Sequence, residues 1–107
     1  MSDSRPIEAC QSLIAEQLPV RCPTIARTAR LLGVPVRTLQ RRLQQDGLSY
    51  SDLVEKTRFE LACRLLDTPE GSVAQVAKAL GYADPGSFSR AFRRWTGMSP
   101  RQYRQRS

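Results

Sequence analysis

Histidine is absent from this 107-residue sequence, and its three cysteines, Cys10, Cys22 and Cys63, form no close-spaced pair. Zinc binding and imidazole acid–base catalysis therefore have little to work with. No glycine-rich phosphate loop is present either. The chain is read as a binding protein and not an enzyme, with no catalytic residue, no metal and no cofactor. An odd cysteine count without a framework fits a reducing compartment, with the thiols serving as small buried hydrophobes. No apolar run approaches the ~20 residues of a membrane span, and no signal peptide is visible, so a cytoplasmic location is expected. No stretch alternates apolar and polar residues with period two, which points to an all-α protein.

Acidic residues are also missing from one place where their absence matters. Residues 21–45 hold six arginines (Arg21, Arg27, Arg30, Arg37, Arg41 and Arg42) and no acid, for a net charge of +6. Residues 71–107 carry seven basic residues against Asp84, again +6, whereas 1–20 and 46–70 are net −2 and −3. Two basic blocks separated by an acidic one suggest two contact surfaces for a polyanion. A length of 107 residues allows one compact domain or two very small subdomains.

The apolar residues recur with helical spacing throughout. A first helix starts near Ser4-Arg5-Pro6, carries Ile7, Cys10, Leu13, Ile14 and Leu18 on one stripe, and stops at Pro19. Thr24 caps a second helix with Ile25, Ala29, Leu31 and Leu32, ending at Gly33. A third turns Val36, Leu39 and Leu43 inward and Arg37, Gln40, Arg41 and Gln44 outward, ending at Gly47. Short helix, glycine turn, second helix is a helix-turn-helix pattern. Ser51 or Asp52 caps a longer helix through Leu66, with Leu53, Thr57, Leu61 and Leu65 every four residues and Val54, Phe59, Ala62 and Leu66 widening the stripe. Its residues 51–66 would span roughly 24 Å. The cluster Asp67-Thr68-Pro69-Glu70-Gly71 then breaks the chain.

Ser72 caps the next helix, which turns Val73, Val76, Ala77 and Leu80 inward and ends at Gly81. Asp84-Pro85 restarts the chain as cap and first helical residue. Phe88, Phe92 and Trp95 follow at core spacing, Arg90, Arg93 and Arg94 lie on or near the outer face, and Gly97 closes the helix. Ser99-Pro100 opens a last turn containing Tyr103. This second half repeats the first. Thr24, Ile25, Ala29, Leu32 and Gly33 match Ser72, Val73, Ala77, Leu80 and Gly81 at an offset of 48. Leu39, Arg41 and Leu43 match Phe88, Arg90 and Phe92 at 49, and Gly47, Leu48 and Ser49 match Gly97, Met98 and Ser99 at 50.

The ordered set Ala29-x3-Gly33, Arg37-Thr38-Leu39-Gln40-Arg41-Arg42-Leu43, Gly47-Leu48-Ser49-Tyr50 and Arg58-x3-Ala62-x2-Leu65-Leu66 continues in the second half. There it reads Val76-Ala77-x3-Gly81-Tyr82-x-Asp84-Pro85, Phe88-Ser89-Arg90-x-Phe92-Arg93 and Gly97-x-Ser99-Pro100-x2-Tyr103-Arg104. Over about residues 8–106 the sequence resembles the DNA-binding domain of the AraC/XylS transcription regulators. The resemblance implies about seven helices in two homeodomain-like, three-helix helix-turn-helix subdomains, 1–50 and 67–107, joined by a linker helix at 51–66. Helices near Val36–Gln45 and Gly86–Thr96 would enter neighbouring major grooves about 34 Å apart.

On that reading double-stranded DNA is the partner, with RNA polymerase as a further one and a sensing or dimerisation domain fused to the chain or missing from it. Arg41 and Arg90, equivalent in the repeat, are candidates to contact guanine O6 and N7. Gln40, Arg37 and Thr38 join Arg41 as base contacts, and Gly86, Ser87 and Ser89 stand beside Arg90. Because those three side chains are short, sequence preference should be lopsided toward the first unit. Phosphate contacts are expected at Thr24 and Ser72, with Arg42, Arg93, Arg94 and Arg101 supplying charge. Arg58 and Arg64, among acids on the linker, read as structural ion pairs. Pro35 departs from the family, which more often has serine there. The alternatives are an architectural DNA binder without sequence preference, and an enzyme with a lone reactive cysteine, as in DNA-repair proteins that carry this kind of domain.

Overall fold

The computed structural model describes residues 4–68 and 70–106, with side chains from Ile7 onward. These form seven α-helices, and no strand occurs among them. They are α1 (Ser4–Gln17), α2 (Ile25–Leu32), α3 (Val36–Gln45), α4 (Tyr50–Asp67), α5 (Val73–Ala79), α6 (Pro85–Thr96) and α7 (Pro100–Gln105). The chain divides into two compact units, Met1–Thr57 and Arg58–Ser107. Helix α4 runs through the division, giving its first turns to one unit and the rest to the other.

In the first unit the apolar stripe of α1 is buried at Cys10 and Ile14 and continues to Leu18 just past its end. Ala29 on α2, Leu39 and Leu43 on α3 and Leu53 on α4 are buried as well. One polar line runs among these aliphatic residues. Thr28 is fully buried; its Oγ1 accepts a hydrogen bond from Gln17 Nε2 at 3.0 Å and shares one with the Tyr50 hydroxyl at 2.7 Å. The Gln17 amide is oriented by a second bond to the Leu13 carbonyl. Three helices, α1, α2 and α4, are thus tied through one threonine that helical periodicity does not single out.

The second unit buries Ala62, Leu66, Val76, Ala77, Leu80, Phe88 and Phe92 as one cluster. Phe59, Tyr82, Trp95 and Tyr103 pack against it. Phe59 meets Trp95 edge-on at 5.7 Å between ring centroids, and Phe92 meets Tyr103 at 5.2 Å. Such perpendicular pairs contribute beyond the area they bury. The expected inward set Phe88, Phe92 and Trp95 is therefore a packing set. Arg58, expected as an ion-pair residue, lies over the Tyr82 ring, 5.2 Å from its centroid, in a cation–π contact.

The end of α4 is closed by a residue far along the chain. Arg104 on α7 donates from Nε to the Leu66 carbonyl (3.1 Å), from Nη1 to Gly71 (2.8 Å) and from Nη2 to Thr68 (3.2 Å). Those carbonyls lie at and just beyond a helix C-terminus, where no intrahelical donor remains, and a guanidinium can satisfy several at once.

Two expectations need correction. Helix α4 is capped by Ser49, not by Ser51 or Asp52. Ser49 Oγ accepts from Asp52 N–H at 3.0 Å, and the Asp52 carboxylate accepts from Ser49 N–H at 3.1 Å. Ser49 stands three residues before the N–H it serves, and Asp52 is its reciprocal partner in a capping box. The helix accordingly has 18 residues and spans about 27 Å. The cysteines are not all buried: Cys10 is, Cys63 is half-buried, and Cys22 is exposed. Cys22 lies in the non-helical connector between Pro19 and Pro23, which offers it no inward face. Pro69 of the breaker cluster falls outside the described residues.

Replacing Arg104 by methionine keeps the stem and removes the three donors. Urea unfolding is expected to show a loss of about 2 kcal/mol; a loss below about 0.5 kcal/mol would mean that water serves those carbonyls equally well.

Candidate nucleic-acid interface

Two helix–turn–helix segments, α2–α3 and α5–α6, present the basic residues, and the same backbone bonds set both turns. In the first, Gly33 N–H donates to the Arg30 carbonyl at 3.1 Å and Val34 N–H to Ala29 at 3.0 Å. In the second, Gly81 N–H donates to Lys78 at 3.0 Å and Tyr82 N–H to Ala77 at 3.0 Å. Gly33 and Gly81 have φ of 75° and 88°, the left-handed region that a side chain would strain. The repeat seen in the sequence is therefore a repeat of hydrogen bonds.

Helix α3 buries Leu39 and Leu43, so its opposite face carries Arg37, Gln40, Arg41 and Gln44, all exposed, with Thr38 half-buried at the edge. Arg42 is exposed beside them. The start of α3 is bare: Pro35 makes no side-chain cap bond, and the departure from serine leaves that turn without a hydroxyl. Arg37 and Arg41 are one turn apart and share a face. Nothing apolar and bulky interrupts them.

Helix α6 starts differently. Asp84 accepts from Ser87 N–H at 2.8 Å and from the Ser87 hydroxyl at 3.2 Å, while Ser87 Oγ accepts from Arg90 Nη2 at 3.3 Å. Of the expected base contacts in this unit, Gly86, Ser87 and Arg90 are thus brought together at the helix start. Ser89 lies half-buried to one side. The Ser87 backbone N–H, its hydroxyl and the nearby Arg90 charge hold the Asp84 carboxyl below the usual carboxylate range. In the sequence Asp84 reads only as a cap. Its link to Arg90 was available in the i, i+3 spacing of Asp84, Ser87 and Arg90.

The expected phosphate-facing residues are on the surface. Thr24 and Ser72 are exposed at the starts of α2 and α5, their oxygens accepting from the N–H groups of Arg27 and Gln75. Arg93 and Arg94 are exposed in the last turn of α6 and Arg101 in the first turn of α7.

This paired arrangement coincides with a family match. The profile described as a helix-turn-helix domain covers residues 28–106. The chain belongs to this helix-turn-helix family and is related to the AraC/XylS regulators. The HTH-type transcriptional regulator VirS of Mycobacterium tuberculosis is 40% identical over 103 residues, covering 96% of this chain and 30% of VirS. The transcriptional regulator CdpR of Pseudomonas aeruginosa is similar in structure, with a TM-score of 0.69 and 40% identity over 95% of this chain and 33% of CdpR. The DNA-binding domain of the global transcriptional factor AdpA, solved with a target DNA, gives 0.70 and 29% identity over 94% of this chain and 90% of that one. The chain spans less than a third of VirS. These helix-turn-helix relatives are transcriptional regulators and not enzymes. Among the described residues, no group of histidine, cysteine, aspartate and glutamate could hold a metal, and no helix is long and apolar enough to cross a membrane.

The cysteines separate by environment in a way that labelling can read. Burial pushes the Cys10 thiol up to about 11, whereas Cys22 is open to solvent. With limiting maleimide at pH 8, peptide mapping is expected to find Cys22 labelled first and Cys10 last, with Cys10 reacting only as urea unfolds the first unit. Rapid labelling of Cys10 in the native protein would contradict its burial.

Proposed function

We propose that this chain is a sequence-specific, double-stranded DNA-binding domain of a transcription regulator, acting in the cytoplasm, with α3 and α6 entering two neighbouring major grooves. The observation that carries the reading is the paired turn. Two copies of one hydrogen-bonded frame each turn their leucines or phenylalanines inward and leave an arginine on the opposite face, Arg41 in one and Arg90 in the other. The structure of AdpA with a target DNA, and the regulator names of VirS and CdpR, support it.

In this scheme Arg41 reads guanine, Gln40 reads adenine, and Arg37 and Thr38 contact bases near the start of α3. Arg90 stands with Gly86, Ser87 and Ser89 at the second site. Thr24, Ser72, Arg42, Arg93, Arg94 and Arg101 hold phosphates and set register without carrying sequence information. Pro35 supplies neither hydroxyl nor N–H, so the first unit grips the backbone from α2 and from Arg42. RNA polymerase is a further partner. A sensing or dimerisation domain in the same polypeptide fits the greater length of VirS. Site preference is lopsided toward the half facing α3, where the side chains are longer.

Selection of bound duplexes from a random pool tests the reading, with random-duplex competition at matched salt as its control. A specific site is expected to outcompete random DNA by at least about 10³-fold. Equal competition would leave an architectural binder held by counterion release. Arg41→Ala is expected to cost about 1–3 kcal/mol on the selected site and to relax one base pair. Arg94→Ala is expected to weaken all sequences alike and to reduce the salt slope by about one.

A further inference from the structure

The head group of Arg90 is folded back over the start of its own helix. Helical side chains lean toward the N-terminus, so Arg90 passes over the residue four positions earlier. That residue is Gly86. A Cβ built there would stand 3.4 Å from Arg90 Nη1 and 3.2 Å from Asp84 Oδ1. Gly86 does not have the positive φ that would call for glycine, and an alanine would suit a helix better. The guanidinium lies against this bare Cα, so a methyl there would touch it at van der Waals distance and press more tightly on the Asp84 carboxylate. It is within hydrogen-bond reach of Ser87 Oγ, which itself donates to Asp84.

We infer that Asp84, Gly86 and Ser87 are positioning residues that aim Arg90 before DNA is met, so that the base preference of the second unit resides in Arg90 and neither Gly86 nor Ser87 reads a base. The inference rests on the DNA-binding function proposed above. A guanidinium held in one direction loses less side-chain freedom when it engages a guanine edge. The Asp84 carboxylate adds selectivity of another kind: a phosphate brought to the same fork would face a negative charge, whereas neutral O6 and N7 acceptors would not. The first unit has no such device. Pro35, Arg37 and Thr38 occupy the positions of Asp84, Gly86 and Ser87, so Arg41 has neither the carboxylate nor the bare glycine. The two copies therefore present equivalent arginines in different ways, and the second half-site concentrates its information in one base pair.

The test is binding-site selection with the parent chain and four variants, alongside thermal melting of each. Arg90→Ala identifies the base pair that Arg90 reads. Ser87→Ala keeps the backbone N–H that donates to Asp84, so it is expected to fold and melt with the parent. Gly86→Ala sets a methyl against the guanidinium and crowds the Asp84 carboxylate. Both are expected to lose about tenfold discrimination at the Arg90 base pair, with the first half-site and the salt slope unchanged. Asp84→Asn keeps a cap acceptor and removes the charge; it is expected to lose the same preference and to bind random duplex more tightly than the parent does. Parent-like discrimination in Gly86→Ala and Ser87→Ala, or an Arg90→Ala variant that alters no base pair, overturns the positioning role and leaves DNA binding standing. A parent chain that selects no sequence overturns both.

Discussion

The fold depends on keeping ordered a set of helices too short to persist alone. Five of the seven have between six and twelve residues, whereas an isolated helix in water needs about 12–15 to be even marginal. Each must gain from its ends and from one buried face what it lacks in length. The ends are served by Thr24, Ser49, Ser72, Asp84 and Ser99, every one of which accepts from the N–H three residues on. Ser49, Ser72 and Ser99 add the reciprocal bond that completes a capping box. Helix α3 has no such help at Pro35 and relies on its buried leucines and on the backbone bond from Leu39 to the Pro35 carbonyl.

Within that common frame the two units solve the interior differently. The first is aliphatic around a polar line from Gln17 through Thr28 to Tyr50. Burial raises the Tyr50 hydroxyl above its usual range while the Thr28 bond pulls the other way. The second is aromatic, with Phe59, Phe88, Phe92, Trp95 and Tyr103 meeting at steep angles and Arg104 tying α7 to the turn after α4. Identical turns can rest on such different interiors because the turn is fixed locally, by a left-handed glycine and two backbone bonds. The interior has only to bury the inward face of each helix.

Much of this was legible in the sequence because it is periodic or punctuated. Leu39 and Leu43 against Arg37 and Arg41, Phe88 and Phe92 against Arg90, and the glycines and Asp84-Pro85 at the helix ends all announce themselves by spacing. What spacing does not carry is a contact between distant residues. Thr28 reads as an ordinary helical polar residue until Gln17 and Tyr50 are seen on either side of it. Arg104 reads as one more surface charge until the carbonyls of Leu66, Thr68 and Gly71 surround it. Cys22 shows the reverse error: residue type suggested burial, and a connector without an inward face kept it exposed. At α4 the sequence pointed to Ser51 or Asp52, and only geometry shows that Ser49 takes the role with Asp52 answering it.

The duplicated turn has a consequence for how such a domain can change over generations. The residues that hold the frame, Ala29 and Ala77, Gly33 and Gly81, Ser49 and Ser99, are the same in both copies. On the outward faces Arg41 and Arg90 match, while Arg37 and Gly86, Thr38 and Ser87, and Gln40 and Ser89 differ. The turn and the outward face draw on different residues, so one altered codon on an exposed face can redirect the domain without refolding it. Two copies also allow one face to be rewritten while the other keeps its hold.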